Sequence, residues 1–176
     1  MSTVDEALKA NESYTKDFAS GDLLLLPPAL KLAVVACMDA RMDIFQILRL
    51  KPGDAHVIRN AGGIITVDAM RSLLISQHLL GTKHVMIINH TKCGMQTFQD
   101  EELLADLQQK SGTDTIAPTR FYAFSDLEKN VRQQIKKVRS HPWVSKEITV
   151  RGFIYDVETG KLQEVAPSGR QKAKKR

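Results

Sequence analysis

Cysteine is scarce in this 176-residue chain: Cys37 and Cys93 are the only two. That excludes a disulfide framework as the organising device, and in a cytosolic chain of this size such a pair is expected to bind metal or to remain free. Long hydrophobic runs are missing as well. The aliphatic run Leu23–Leu26 stops after four residues at Pro27-Pro28, and no stretch approaches the roughly 20 residues that span a bilayer. The N-terminus carries Asp5 and Glu6 and no apolar signal core, so a cytoplasmic location is expected. The body of the chain also lacks an excess of positive charge. The formal net charge of +5 is accounted for by Arg170, Lys172, Lys174, Lys175 and Arg176, which leaves residues 1–169 neutral. A nucleic-acid reader would carry its charge on the folded surface, so neither nucleic acid nor membrane is an expected partner. Residues 170–176 are expected to be a basic, disordered tail. No internal repeat is present.

What is there reads as one domain over residues 1–169, with 43% apolar and 26% charged residues and length enough to bury a core. Residues 4–19 are expected to form a polar helix within an N-terminal arm of residues 1–30, broken by Gly21 and Pro27-Pro28. Residues 31–37 read as a buried strand and Met42–Leu50 as a short helix closed by Lys51-Pro52-Gly53-Asp54. A second strand covers Ala55–Arg59, a helix runs from Thr66 to about Leu80 with Gly81 as its stop, and a third strand covers 84–89. An acidic helix over 96–110 and a loop at Ser111–Asp114 follow. The amphipathic helix Asp126–Ser140 has Ser125 as its expected cap. Ile148–Val157 and Leu162–Val165 read as a hairpin around Glu158-Thr159-Gly160-Lys161. Alternating strands and helices predict an α/β fold: a mainly parallel sheet of order 2-1-3-4 with helices on both faces. In that order strands one and three are neighbours whose connections leave in opposite directions, and the crevice at their carboxyl ends is where such sheets bind ligands.

Both cysteines stand at that place. Cys37 ends the first strand, and His90-Thr91-Lys92-Cys93-Gly94 follows the third. Two thiolates and one imidazole suit zinc and leave a fourth position to fill. Gly94 gives the turn after Cys93 conformational freedom. Cys37, Asp39 and Arg41 alternate, so in an extended segment their side chains share a face. Asp39 then has two possible partners. It can close the site as a fourth ligand, or pair with Arg41 and leave that position to water, whose pKa on zinc falls to about 7.

Cys37-x-Asp39-x-Arg41 followed by His90-x-x-Cys93 resembles the β-class carbonic anhydrases. Arg59-Asn60-Ala61-Gly62-Gly63 and the helix from Thr66 extend the likeness over roughly residues 30–100, within the compact branch of the family. The resemblance implies one Zn2+ per chain on Cys37, His90 and Cys93, with Asp39 added in a closed form. It implies reversible hydration of carbon dioxide to bicarbonate by a zinc-bound hydroxide. Asp39 would orient that nucleophile, and Arg41 would hold Asp39 off the metal. It further implies a homodimer that exchanges N-terminal helices, with tetramers common. Relatives on this scaffold hydrolyse carbonyl sulfide or carbon disulfide, so such a hydrolase is the alternative, and a zinc protein without turnover is a third. Lys92 stands where many compact relatives carry an aspartate, which is expected to put a cation beside the site and to bear on anion release or pH dependence.

Other residues have plainer readings. Gly62 and Gly63 are either a turn or a close backbone approach to the substrate pocket, which Gly94 is also expected to line. His56, His78, His84 and His141 have no ligand spacing and are expected to be structural. Trp143 is expected to be a packing anchor, and Met38, Met42 and Met95 to be pocket wall or core.

Overall fold

The run Leu32–Cys37 (β1) is apolar throughout and wholly buried from Ala33 onward, as a strand covered on both faces must be. It lies between two parallel neighbours, Ala55–Asn60 (β2) and His84–His90 (β3). Thr149–Tyr155 (β4) joins β3 in parallel, and Leu162–Val165 (β5) returns antiparallel beside β4. The sheet order is therefore β2-β1-β3-β4-β5, the expected 2-1-3-4 extended by the second arm of the hairpin. The computed structural model describes residues 2–18, 27–114, 118 and 120–166. The expected basic tail at 170–176 and residues 19–26 of the expected arm lie outside them.

Helices connect and cover the strands: Thr3–Lys16 (α1), Ile44–Leu48 (α2), Val67–His78 (α3), Asp100–Ser111 (α4) and Leu127–Ser140 (α5). Each strand-to-helix entry has a local cause. Thr66 caps α3 by accepting from the Ala69 N–H, and Asp43 caps α2 by accepting from the Gln46 N–H. At α5 the expected cap is displaced by one residue. Asp126, not Ser125, accepts from the Lys129 N–H at 2.8 Å, because the carboxylate also meets the positive end of the helix.

One face of the sheet packs Val35, Ile87 and Val150 against Val131, Ile135 and Val138 of α5. The opposite face packs Val34, Ala36 and Ile88 with Met42, Ile44, Met95 and both cysteines. Gly152 on β4 lets α5 sit close. A Cβ there would lie 2.4 Å from Val131 Cγ1 and 2.7 Å from Ile135 Cδ1, closer than atoms can pack.

Two side chains depart from expectation. Trp143 is no packing anchor among the described residues: it is 70% exposed, beside a groove of about 570 Å³ between α3 and the end of α5. Met38 is exposed, whereas Met42 and Met95 are buried as expected. Helix α1 buries none of its residues, and its Val4, Leu8 and Tyr14, with Phe18 just beyond it, are all exposed. Among the described residues no helix is long and apolar enough to cross a membrane.

Candidate metal centre

The sheet topology carries Cys37, at the end of β1, beside His90, at the end of β3. The turn after β3 then brings Cys93 back to both. The two sulfurs are 4.0 Å apart, and the three ligating atoms lie within 4.8 Å of one another, all on buried residues. His90 is fully buried. Its Nδ1 bonds to the Thr91 carbonyl at 2.9 Å, and since a carbonyl can only accept, Nδ1 carries the proton. Nε2 lies beside the sulfurs, buried and without a hydrogen-bond partner among the described residues. An orphaned imidazole nitrogen beside two thiols fits a soft divalent metal such as zinc, and the Nδ1 bond is the kind that orients a ligating histidine. His56, His78, His84 and His141 stand apart from this cluster, as expected; His56 bonds Ser76 Oγ, and His78 bonds the Trp143 carbonyl.

The paired thiols share a proton unequally. The hydrogen bond from Cys93 favours the thiolate at Cys37 against the opposing effect of burial, and lowers the Cys37 pKa. Giving that bond, together with burial, pushes Cys93 up. The Gly62 N–H also points at Cys37 Sγ, at 3.4 Å.

Asp39 lies at the mouth of the cluster. Its Oδ2 is 3.6 Å from His90 Nε2, yet both oxygens are engaged by Arg41: Nε to Oδ1 at 2.8 Å and Nη2 to Oδ2 at 2.7 Å. The Arg41 guanidinium holds the Asp39 carboxyl well below the usual carboxylate range. Of the two arrangements open to Asp39 from sequence, this is the paired one.

Three features of the site go beyond the sequence reading. Arg59 grips the backbone of the first motif, donating to the Cys37 carbonyl at 3.0 Å and the Asp39 carbonyl at 2.6 Å. Lys92 takes a left-handed conformation, φ 54°, and its carbonyl accepts from Arg41 Nη2 at 3.0 Å. The conformational freedom assigned to Gly94 is thus taken up at Lys92 instead. Gly94 has no positive φ, and a Cβ on it would meet nothing within 4 Å. Gly62 and Gly63, by contrast, are buried at φ 78° and 60°, and a Cβ on Gly63 would lie 3.0 Å from the Cys37 nitrogen. Asn60 holds this tight segment by bonding both the N–H and the carbonyl of Ile64 with its side chain. The third feature is a set of buried amides behind the glycines.

Comparison with known proteins agrees with this geometry. Residues 32–162 match the family model described as carbonic anhydrase. The chain is 44% identical to β-carbonic anhydrase 1 of Mycobacterium tuberculosis, covering 95% of this chain and all of that one. It is 33% identical to a carbon disulfide hydrolase of Acidianus, over 92% of this chain and 88% of the other. The fold superposes on the crystal structure of carbonic anhydrase from Streptococcus mutans with a TM-score of 0.86, at 39% identity, over 94% of this chain and 99% of that one. The chain belongs to the β-carbonic anhydrase family.

Proposed function

We propose that this protein catalyses the reversible hydration of carbon dioxide to bicarbonate, with one zinc ion held by Cys37, His90 and Cys93. The observation that carries the reading is the doubly bonded Asp39–Arg41 pair at the mouth of the cluster, since a purely structural site needs no such pair. The likeness to a β-carbonic anhydrase at 44% identity over nearly the whole chain supports it.

When bound, zinc supplies a Lewis acid that makes water nucleophilic near neutral pH. The chain's own residues supply the rest. Asp39, ionised throughout the working range, is an acceptor that orients a water by its proton and takes up that proton's hydrogen bond. Arg41 occupies both carboxylate oxygens and so keeps Asp39 from becoming a fourth ligand. Arg59 and the Lys92 carbonyl fix the two ends of that pair. Gly62 and Gly63 bring backbone close to Cys37 on the buried side, and Gly94 leaves open space beyond Cys93.

The alternative is a hydrolase of carbonyl sulfide or carbon disulfide on the same ligands, supported by the 33% likeness to carbon disulfide hydrolase. One paired assay on zinc-loaded protein decides: stopped-flow hydration of carbon dioxide beside sulfide release from both sulfur substrates. Fast hydration with little sulfide is expected. Strong sulfide release with weak hydration would transfer the protein to the hydrolase reading, and no turnover at one zinc per chain would leave a structural site.

The exposed apolar side chains of α1 support a homodimer in which this helix packs on a partner copy. A dimer is expected as the basic unit, with a tetramer as its possible doubling. Light scattering behind size exclusion tests this. A Val4→Asp, Leu8→Asp double variant that keeps the wild-type mass would refute the role of α1. The reading includes a cytoplasmic location.

A further inference from the structure

Asn89, Asn130 and Gln134 are 1%, 4% and 2% exposed, and none belongs to the ligand set. Their hydrogen bonds run in one direction. The Ile65 N–H donates to Gln134 Oε1 at 3.0 Å, and Gln134 Nε2 donates to Asn130 Oδ1 at 2.7 Å. Asn130 Nδ2 donates to Asn89 Oδ1 at 2.8 Å, and Asn89 Nδ2 donates to the Gly62 carbonyl at 2.8 Å. Both ends are backbone groups whose roles are fixed, an N–H at Ile65 and a carbonyl at Gly62. The orientation of every amide between them is therefore determined. The relay leaves the 62–65 segment, passes through α5 and β3, and returns to the same segment.

Buried amides are a costly way to fill a core, because apolar side chains of similar shape carry no desolvation penalty. A relay whose members are all satisfied is instead suited to specifying one geometry, and aligned amides strengthen one another. The geometry specified here is that of the segment whose Gly62 N–H points at Cys37 Sγ. Donors to a ligating sulfur withdraw charge from it and tune the metal it holds.

We propose that Asn89, Asn130 and Gln134 are positioning residues that aim the Gly62 N–H at the Cys37 sulfur and so set how strongly that sulfur donates to the metal. This rests on the assignment of Cys37 as a metal ligand. The relay acts on the site from behind, while Arg59, Arg41 and Asp39 act from its mouth.

The test compares Asn130→Leu and Gln134→Met with Val131→Ala, which loosens the same helix without touching the relay. Two readouts are taken besides activity. One is amide hydrogen exchange at residues 62–65 in the metal-free protein. The other is the sulfur-to-metal charge-transfer band of the cobalt(II)-loaded protein. Both relay variants should exchange faster at 62–65, shift the band to longer wavelength and lose about tenfold in kcat/KM. Val131→Ala should melt earlier, with its band in the wild-type position. Wild-type exchange and band position in the relay variants would overturn the proposal, as would an equal band shift in Val131→Ala. Should Asn130→Leu fail to fold, Gln134→Met decides alone. A wild-type protein that hydrates no carbon dioxide refutes the hydration reading only, because exchange and band position still judge the relay.

Discussion

The Lys92 carbonyl accepts a hydrogen bond from Arg41 Nη2 at 3.0 Å, and Lys92 can offer it there with its backbone in the left-handed region, φ 54°. Lys92, which directly precedes the second cysteine, thus meets the Asp39–Arg41 pair through its main chain. Its ammonium turns away to Glu158, at 2.6 Å, in an exposed pair. A left-handed conformation costs an L-residue about 1–2 kcal/mol, and more for a β-branched side chain. Lys92→Gly should therefore keep both the fold and the Arg41 contact, whereas Lys92→Val should be about 1–2 kcal/mol less stable than Lys92→Gly. Urea denaturation of the two variants measures the difference. Equal stability would show that the strain is not there.

The partition of labour between ligands and the Asp39–Arg41 pair predicts a clean separation of phenotypes. Asp39→Ala should retain one zinc per chain and lose on the order of 100-fold in hydration rate. Cys93→Ala should lose the metal, and with it the stability that binding contributes. Metal content by mass spectrometry, read beside stopped-flow rates, distinguishes the two. An Asp39→Ala protein with full activity would remove Asp39 from the mechanism.

Two glycines at the site make unequal demands. A Cβ at Gly63 would press on Asn89 Nδ2 at 2.8 Å and on the Cys37 nitrogen at 3.0 Å, in a backbone conformation that L-residues avoid. Gly63→Ala should cost about 1–3 kcal/mol and weaken metal retention. Gly94→Ala meets open space and should stay within about 0.5 kcal/mol of the parent. Thermal melts with and without a chelator test both.

Asp100, the first residue of α4, collects three backbone donors, from Phe121, Tyr122 and Ala123, at 3.0, 3.0 and 2.8 Å. Burial works to raise its pKa, but the three donors outweigh it and lower the value. The sign follows. The carboxylate's contribution to stability is fully present above its unfolded pKa of about 3.9 and is lost as pH falls toward the lower folded value. Asp100→Asn should be less stable than wild type at pH 7, by about 1–3 kcal/mol, and the gap should narrow below pH about 4. A gap independent of pH would exclude the charge as its source.

Much of this architecture is legible in the chain because burial and chemistry coincide. Leu32–Ala36 and Val85–Ile88 announce strands, and the strands they form end on Cys37 and His90, both able to bind metal, so the crevice could be located from connectivity alone. The amide relay was not legible. Asn130 and Gln134 stand one helical turn apart on an amphipathic helix, where sequence gives them to the polar face. Only the packed structure sets them beside Val131, Ile135 and Val138. The left-handed turn residue, Lys92, was passed over for a related reason. A glycine two residues on offered the freedom that the turn needs, but the carbonyl that Arg41 requires belongs to the lysine. The cap of α5 moved from Ser125 to its neighbour because two good capping residues are adjacent and sequence does not rank them.

The hydrogen atom that serves as the side chain of Gly152 has a reach beyond β4. It sets the height at which α5 rides over the sheet, since Val131 and Ile135 occupy the space a Cβ would claim. Asn130 and Gln134 ride on the same helix, so that height is also the focal length at which the 62–65 segment is held against Cys37. A single methyl group placed at 152, in the middle of a strand and outside the ligand cluster, would defocus the metal centre from the back of the molecule.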